Sequence, residues 1–281
     1  MIMTQPSAAL TRFAPSPTGE LHLGHAFSAC FASRAGGGQF TLRIDDIDHT
    51  RCKPVFTEKI FDDLAWLGLK WREPVRYQSD RLHSYKAALE KLEKMGLVYP
   101  CFLSRAEVNA SLSAPQMLCT SEADLEGVIP IAEKQRRKQS GIAPAWRLRT
   151  TAAVEEVGQL TWRDVGRGKD MAIDITSFKD VVIARKDIAT SYHLSVVIDD
   201  AMDDITLVTR AEDLRASTHL HRLLQELLGL GTPDYLHHQM ITDTHGRRLA
   251  KRNKATSIAA LRRDGHTPDA VLRMLPKLKY S

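Results

Sequence analysis

Two histidines separated by a leucine and a glycine, His22-Leu23-Gly24-His25, carry the sharpest chemical signal in the sequence. They follow the segment Pro15-Ser16-Pro17-Thr18-Gly19, whose two prolines forbid helix. They precede Phe27, Cys30 and Phe31, which have the i, i+3, i+4 spacing of a helix face. A helix N-terminus presents backbone N–H groups without partners and the positive end of the peptide dipoles, a setting that suits phosphate. Gly24 would let an adenine or a ribose approach the backbone. Two imidazoles there can donate hydrogen bonds to phosphate oxygens as charge builds on a transferring group. Taken alone, such a step reads as two surface histidines at a helix cap. A metal site is the poorer alternative, because no third ligand lies at useful spacing. A second cluster, Leu42-Arg43-Ile44-Asp45-Asp46-Ile47-Asp48, puts carboxylates at the end of a strand. In open α/β sheets ligands bind outside the C-terminal strand ends, so an acid there can accept an ammonium group, unless it is only an acid-rich turn.

The elements that must position these groups follow from periodicity. Residues 10–14 read as a strand, 24–35 as a helix stopped by Gly36-Gly37-Gly38, and 39–45 as a second strand. Strand, loop, helix, strand is the opening of a doubly wound α/β domain with a parallel sheet. Helices are predicted over 57–67 and 79–95, the second capped by Ser79 with Leu82, Tyr85, Leu89 and Leu92 as its apolar stripe. The pattern weakens between 100 and 179, where 145–150 and 159–164 read as strands of a small insertion. Parallel periodicity resumes at Val181-Val182-Ile183. A helix follows near 191–198, then a strand over 205–209 and a helix over 216–228 carrying Leu220, Leu223, Leu224, Leu227 and Leu228. The expected organisation is a first half-domain over 8–100, an insertion over 101–178, a second half over 179–235, and a basic loop with a short helical appendage over 236–281.

Composition restricts the function classes. The 281 residues are 43% apolar and 26% charged, ordinary values for a globular protein, and the formal net charge of +5 is compatible with a polyanionic partner such as RNA. No stretch reaches the length of a membrane span, and residues 1–10 lack the basic and apolar regions of a signal peptide. The four cysteines, at 30, 52, 101 and 119, form no CxxC pair and do not suggest a disulfide framework. A cytoplasmic location is the expectation.

The run Arg12-Phe13-Ala14-Pro15-Ser16-Pro17-Thr18-Gly19, continuing to Leu21-His22-Leu23-Gly24-His25, resembles the class I aminoacyl-tRNA synthetases, and their glutamyl/glutaminyl branch in particular. That resemblance implies ATP, Mg²⁺ and L-glutamate as ligands. It implies glutamate contacts at Arg12, Phe13, Ala14, Pro15, Ser16, Asp45, Tyr192 and Arg210. Arg12 would meet a carboxylate with its planar fork. Asp45 stands where the family usually has Glu. Tyr192 and Arg210 match the spacing of the family's second half-site, Arg210 for the side-chain carboxylate, with Ala211 in place of the common Gly. Their other readings are a core residue for Tyr192 and a helix-cap ion pair for Arg210.

Arg247-Arg248-Leu249-Ala250-Lys251-Arg252 is similar to the family's KMSKS loop with its first Lys and its Ser replaced. The similarity implies ATP contacts at His22, Gly24, His25, Arg248, Leu249 and Lys251, with His22, His25 and Lys251 catalytic. Family members often bind zinc in the insertion. Cys101 and Cys119 fit its outer ligand positions, but Leu103 and Pro115 occupy the inner ones and cannot ligate, so the expectation is that packing replaces the metal. About thirty residues follow Lys251, too few for an anticodon-binding domain. The chain therefore resembles the truncated members of the branch, which activate glutamate without tRNA and attach it to queuosine in the anticodon loop of tRNA(Asp). The competing expectations are an enzyme that charges a tRNA 3′ end, a non-catalytic RNA-binding paralogue and, more distantly, a nucleotidyltransferase sharing the two-histidine step. A monomer is expected. Basic clusters at Lys134, Arg136, Arg137 and Lys138, and at Lys251, Arg252, Lys254, Arg262 and Arg263, are candidates for RNA backbone contact, the first read equally well as a solvated helix face.

Overall fold

The computed structural model describes residues 9–104, 106–108, 125, 127–175, 178, 180–188, 190–241 and 256–277. Arg248, Leu249, Lys251, Arg252, Lys254, Pro115 and Cys119 lie outside the described residues. The first half runs β1 (Arg12–Phe13), α1 (Leu23–Ala35), β2 (Gln39–Ile44), α2 (Pro54–Trp66), β3 (Lys70–Tyr77) and α3 (Leu82–Lys94). Its strands are parallel in the order β1-β2-β3. The middle contributes β4 (Val98–Cys101), α4 (Ile131–Gln139), β5 (Ala145–Leu148), α5 (Thr150–Val157), β6 (Thr161–Asp164), β7 (Lys169–Ala172) and β8 (Val182–Ala184). The second half runs α6 (Tyr192–Met202), β9 (Leu207–Ala211), α7 (Arg215–Leu228) and β10 (Asp234–His238), followed by α8 (Ile258–Arg263) and α9 (Pro268–Met274).

Thr206 N and Leu207 N donate to the Leu10 carbonyl, at 3.0 and 3.2 Å, which brings β9 beside the start of β1. β9 and β10 are parallel. Strand order therefore reverses between β1 and β9, and the crevice beyond their C-terminal ends is where a doubly wound sheet takes its ligand. The doubly wound α/β expectation holds.

Two strands join sheets other than those expected. β8, read as the return of the parallel sheet, pairs antiparallel with β5, which pairs antiparallel with β4. β6, read as part of the insertion, pairs parallel with β10 at Asp164 and Tyr235 and carries β7 as a hairpin partner. The expected insertion over 101–178 is thus not one unit. The physical cause is burial. Trp162 of β6 is buried against Tyr235, Ile205 and Val208 of the second half. The edge of its ring meets Tyr235 with centroids 5.6 Å apart.

The helix stripes fall where periodicity puts them, with two corrections in α3. On α7 Leu220, Leu223, Leu224, Leu227 and Leu228 are all buried against α3 and α6 residues such as Leu92, Val196 and Val197. Burial of each such side chain contributes roughly 1.5–3 kcal/mol. Tyr85, Leu89 and Leu92 of α3 are buried, but Leu82 is exposed, and Ser79 does not cap α3. Residues Gln78–Arg81 form a 3-10 turn, and Ser79 donates from its N and Oγ to the Asp46 carboxylate, at 2.9 and 2.7 Å.

Candidate active site

His22 is the N-cap of α1, and the two histidines make a reciprocal capping box. Gly24 N donates to His22 Nδ1 at 3.1 Å, and His22 N donates to His25 Nδ1 at 3.2 Å. Because both Nδ1 atoms accept, each ring carries its proton on Nε2, so both are hydrogen-bond donors on that side. The ring centroids lie 3.8 Å apart with the planes inclined by 30°. Gly24 has a structural reason as well: a Cβ there would sit 2.9 Å from His22 Cε1 and 3.0 Å from Nδ1 and displace the ring. The chain returns to this corner after residue 255, where Ile258 N donates to the Leu21 carbonyl at 2.8 Å and Ser257 bridges His22. Upstream of residue 242, Ile241 packs with Phe27 and Phe31 of α1. Both described flanks of the basic loop therefore lie against α1.

Arg12, the first residue of β1, is buried and donates from Nε to both Asp200 oxygens, at 3.0 and 3.2 Å, and from Nη1 to the Thr209 carbonyl at 2.8 Å. Arg43, two residues before Asp45 on the same face of β2, was not singled out from sequence. It is 1% exposed and donates at 2.7 Å both to Asp45 and to Asp200, with Asp199 at 3.5 Å. Asp199 is fully buried and accepts from Gln78, Arg81 and Tyr85. Three acids crowd around one arginine, with different results. For Asp45, burial outweighs the pull of Arg43, and Asp199 and Asp200 add to it, pushing the carboxyl up to about 6. Asp200 is also opposed by burial, but the guanidiniums of Arg12 and Arg43 together hold it below its ordinary value. The other acids of the Asp45 segment are engaged in its loop. Asp46 holds Ser79, and Asp48 accepts from Thr50, Arg51 and Arg185. The sequence signal for Arg43, Asp199 and Asp200 was a charge interrupting an otherwise apolar strand or helix, which burial then has to pair.

Arg210, on β9 beside Arg12, has different neighbours. Its Nη1 donates to His221 Nδ1 at 3.0 Å and its Nη2 to Thr218 Oγ1 at 2.6 Å, with His237 Nε2 at 3.5 Å from Nε. Its guanidinium lies over the Tyr235 ring at 5.2 Å. All of these groups are neutral, and among the described residues no carboxylate pairs with Arg210, although it is only 6% exposed. It is not the helix-cap ion pair considered from sequence. A buried guanidinium met only by neutral groups has the charge and the donors to take an anion. Tyr192, the first residue of α6, is 39% exposed and not a core residue; its ring lies 5.7 Å from that of His221. Of the Phe13–Ser16 run, the Phe13 ring packs edge-on against Phe40 in the core, and its backbone pairs with β2 at Leu42.

Cys101 and Leu103 are buried with Tyr99 and Leu125 in an apolar cluster. Leu103 offers no donor, and among the described residues no group of three His, Cys, Asp or Glu side chains is placed to hold a metal ion. In the first basic cluster, Arg136 pairs with Glu133, and Arg137 with Glu107, Glu133 and the Phe102 carbonyl, so two of its four cations serve the local fold. Arg262 lies over the Trp66 ring at 5.8 Å.

The fold and this arrangement, a histidine-capped helix N-terminus beside two buried arginines at a strand-order reversal, are those of a class I aminoacyl-tRNA synthetase catalytic domain. Residues 8–281 match the family of class I tRNA synthetases for E and Q, catalytic domain. The chain belongs to that family of ATP-dependent aminoacyl ligases. It is 45% identical to a glutamyl-Q tRNA(Asp) synthetase of Rhodobacter capsulatus, over 95% of this chain and 99% of the relative. It is 38% identical to a glutamate–tRNA ligase of a Synechococcus species, over 96% of this chain but 57% of that one. A solved glutamate tRNA ligase from Elizabethkingia meningosepticum, in complex with its amino acid, superposes with a TM-score of 0.74 at 26% identity, over 95% of this chain and 60% of that one. The chain thus spans somewhat over half of those two ligases and nearly all of the Rhodobacter relative.

Proposed function

We propose that the protein activates L-glutamate with ATP as glutamyl-adenylate in the absence of RNA, and transfers the glutamyl group to queuosine in the anticodon loop of tRNA(Asp). The observation that carries glutamate is Arg210, a desolvated guanidinium whose described partners are all neutral. A side-chain carboxylate supplies the missing charge, and a neutral or shorter side chain leaves the cation unmatched. Arg12 and the backbone of Phe13–Ser16 line the same crevice from β1, Asp45 takes the ammonium group, and Tyr192 closes the mouth. The similarity to a glutamyl-Q tRNA(Asp) synthetase along 99% of its length supports the acceptor.

In the first step the glutamate α-carboxylate attacks the α-phosphorus in line and pyrophosphate leaves. His22 and His25 donate from Nε2 to phosphate oxygens as negative charge accumulates, and the α1 N-terminus adds its dipole. Lys251, with Arg248 and Leu249, is assigned to the ATP phosphates from the similarity of its segment to the family's basic motif. Mg²⁺ bound with the nucleotide would supply further neutralisation of phosphate charge. In the second step a hydroxyl of the modified base attacks the acyl carbon and AMP leaves. Holding the two reactants together supplies much of the acceleration. Among the described residues no helix is long and apolar enough to cross a membrane. We place the enzyme in the cytoplasm as a monomer, with the basic residues of α8 on the RNA backbone.

Glutamate-dependent exchange of pyrophosphate into ATP tests the first step. Exchange without RNA, followed by glutamyl transfer to queuosine-containing tRNA(Asp), is expected. Exchange that appears only on adding tRNA(Glu) would assign the chain to 3′-end charging, and silence in both conditions would leave a non-catalytic paralogue.

A further inference from the structure

Arg210 does not stand alone. Behind it, a chain of hydrogen bonds runs from β9 to α7 to α6: Arg210 Nη1 to His221 Nδ1 at 3.0 Å, then His221 Nε2 to His193 Nδ1 at 3.1 Å. A guanidinium can only donate, so His221 Nδ1 accepts and its proton resides on Nε2. That Nε2–H donates to His193 Nδ1, which places the His193 proton on its own Nε2. One arginine thus fixes the tautomers of two rings in sequence. Neither ring can carry a second proton without setting N–H against N–H. Burial and Arg210 push His193 down to about 4, and burial, Arg210, His193 and Arg12 hold His221 well below its ordinary value. His221 is 2% exposed, so water does not substitute for it.

We propose that His221, oriented by His193, is a positioning residue that aims Arg210 while leaving its charge unmatched, and so makes the pocket selective for a substrate carboxylate. An acidic residue at position 221 would aim the guanidinium equally well but would satisfy its charge from within, as Asp200 does for Arg12. A neutral acceptor aims it and leaves the countercharge to the ligand. This deepens the glutamate-activation reading and rests on it.

The test is an isosteric pair. The side-chain oxygen of Asn or Asp occupies the place of His Nδ1, so His221→Asn and His221→Asp differ there only in charge. Glutamate KM and kcat are measured by pyrophosphate exchange, with thermal unfolding as the fold control. His221→Asn is expected to raise the glutamate KM by no more than about threefold. His221→Asp is expected to raise it on the order of tenfold to a hundredfold with kcat little changed, because the internal carboxylate competes with the substrate's. Equal effects of Asn and Asp, or no effect of either, would overturn the proposal. If the variants at 221 do not fold, the half-buried outer ring is used. His193→Leu removes the acceptor that fixes His221 and should raise KM about threefold to tenfold, whereas His193→Asn keeps an acceptor and should restore it. Indistinguishable KM values for that pair would also overturn the proposal. A wild-type protein with no glutamate-dependent exchange would instead sink the underlying reading, a result separable from any ratio between variants.

Discussion

Arg12 and Arg210 sit on adjacent parallel strands, are equally buried, and differ in what they touch. Replacing each by methionine, which keeps most of the stem volume, should therefore affect stability unequally. Arg12→Met removes two bonds to Asp200 and one to the Thr209 carbonyl, leaving a buried carboxylate supported by Arg43 alone. Breaking a buried pair from one side costs about 3–5 kcal/mol, and the surviving Arg43 bond puts this case at the low end. For a chain of this size that is a fall in Tm of roughly 6–10 °C. Arg210→Met removes a buried cation that has no internal countercharge. It leaves His221 Nδ1 and Thr218 Oγ1 without their donors, at about 1–3 kcal/mol each, but releases a desolvation penalty of several kcal/mol. The two offset to within ~2 kcal/mol, so Tm should move by no more than roughly 5 °C in either direction. Glutamate binding should be affected most by Arg210→Met, with a loss of roughly a hundredfold or more for a charge-assisted bidentate contact. The assay is thermal unfolding of both variants without ligand, then with saturating glutamate. Wild type should gain stability from the ligand and Arg210→Met should not. If Arg210→Met destabilises as much as Arg12→Met, Arg210 is a structural cation and its assignment as the substrate's counterpart fails.

Three further outcomes are expected. Asp45 titrates near 6, above its ordinary 3.8, and it must be ionised to receive an ammonium group, so kcat/KM for glutamate should fall about tenfold per pH unit below 6. Its neutral form favours the fold: that stabilisation is complete below about 4 and lost as pH rises through 6, so its stability contribution runs opposite to activity, and Asp45→Asn should remove both dependences. Gly24→Ala puts a Cβ 2.9 Å from the His22 ring and should lower kcat of exchange about tenfold or more with the glutamate KM unchanged; a normal kcat would show that the ring position does not matter. Lys251→Ala should slow pyrophosphate exchange by about a hundredfold or more while calorimetric glutamate affinity stays within about twofold, and equal losses in both would contradict a role confined to the phosphates.

What was legible in the sequence was local. The opening strand, Pro-rich loop and capped helix could be read because Pro15, Pro17, the histidines and Phe27/Phe31 act on their own neighbours. The α7 stripe could be read because its five leucines repeat over three turns. Sheet membership of β6 and β8 was not legible. Each offers only two or three inward positions, and Trp162 is assigned to the second half by Tyr235, seventy-three residues away. Ser79 was misread for a related reason: a good capping residue was drawn away by the Asp46 carboxylate from another element. In the site, the side chains with family counterparts came from the motifs. Their supporting partners, Arg43, Asp199, Asp200, His193 and His221, come from three separate elements, and only the fold shows that they meet.

That meeting explains why the proposed amino-acid pocket cannot exist in half of the domain. Asp200 lies on α6 of the second half, and both of its guanidinium partners, Arg12 and Arg43, lie on strands of the first. Asp199, its neighbour, accepts from Gln78, Arg81 and Tyr85, again all from the first half. Separating the halves would strand two carboxylates on one side and the guanidiniums of Arg12, Arg43 and Arg81 on the other, each desolvated or newly exposed without its partner. Buried charge pairs add little net stability compared with apolar packing, but they penalise every arrangement that leaves one charge unmatched. The cluster therefore sets the register between the halves more than it strengthens their union. The same register sets β1, which carries Arg12, beside β9, which carries Arg210, through the Arg12 bond to the Thr209 carbonyl.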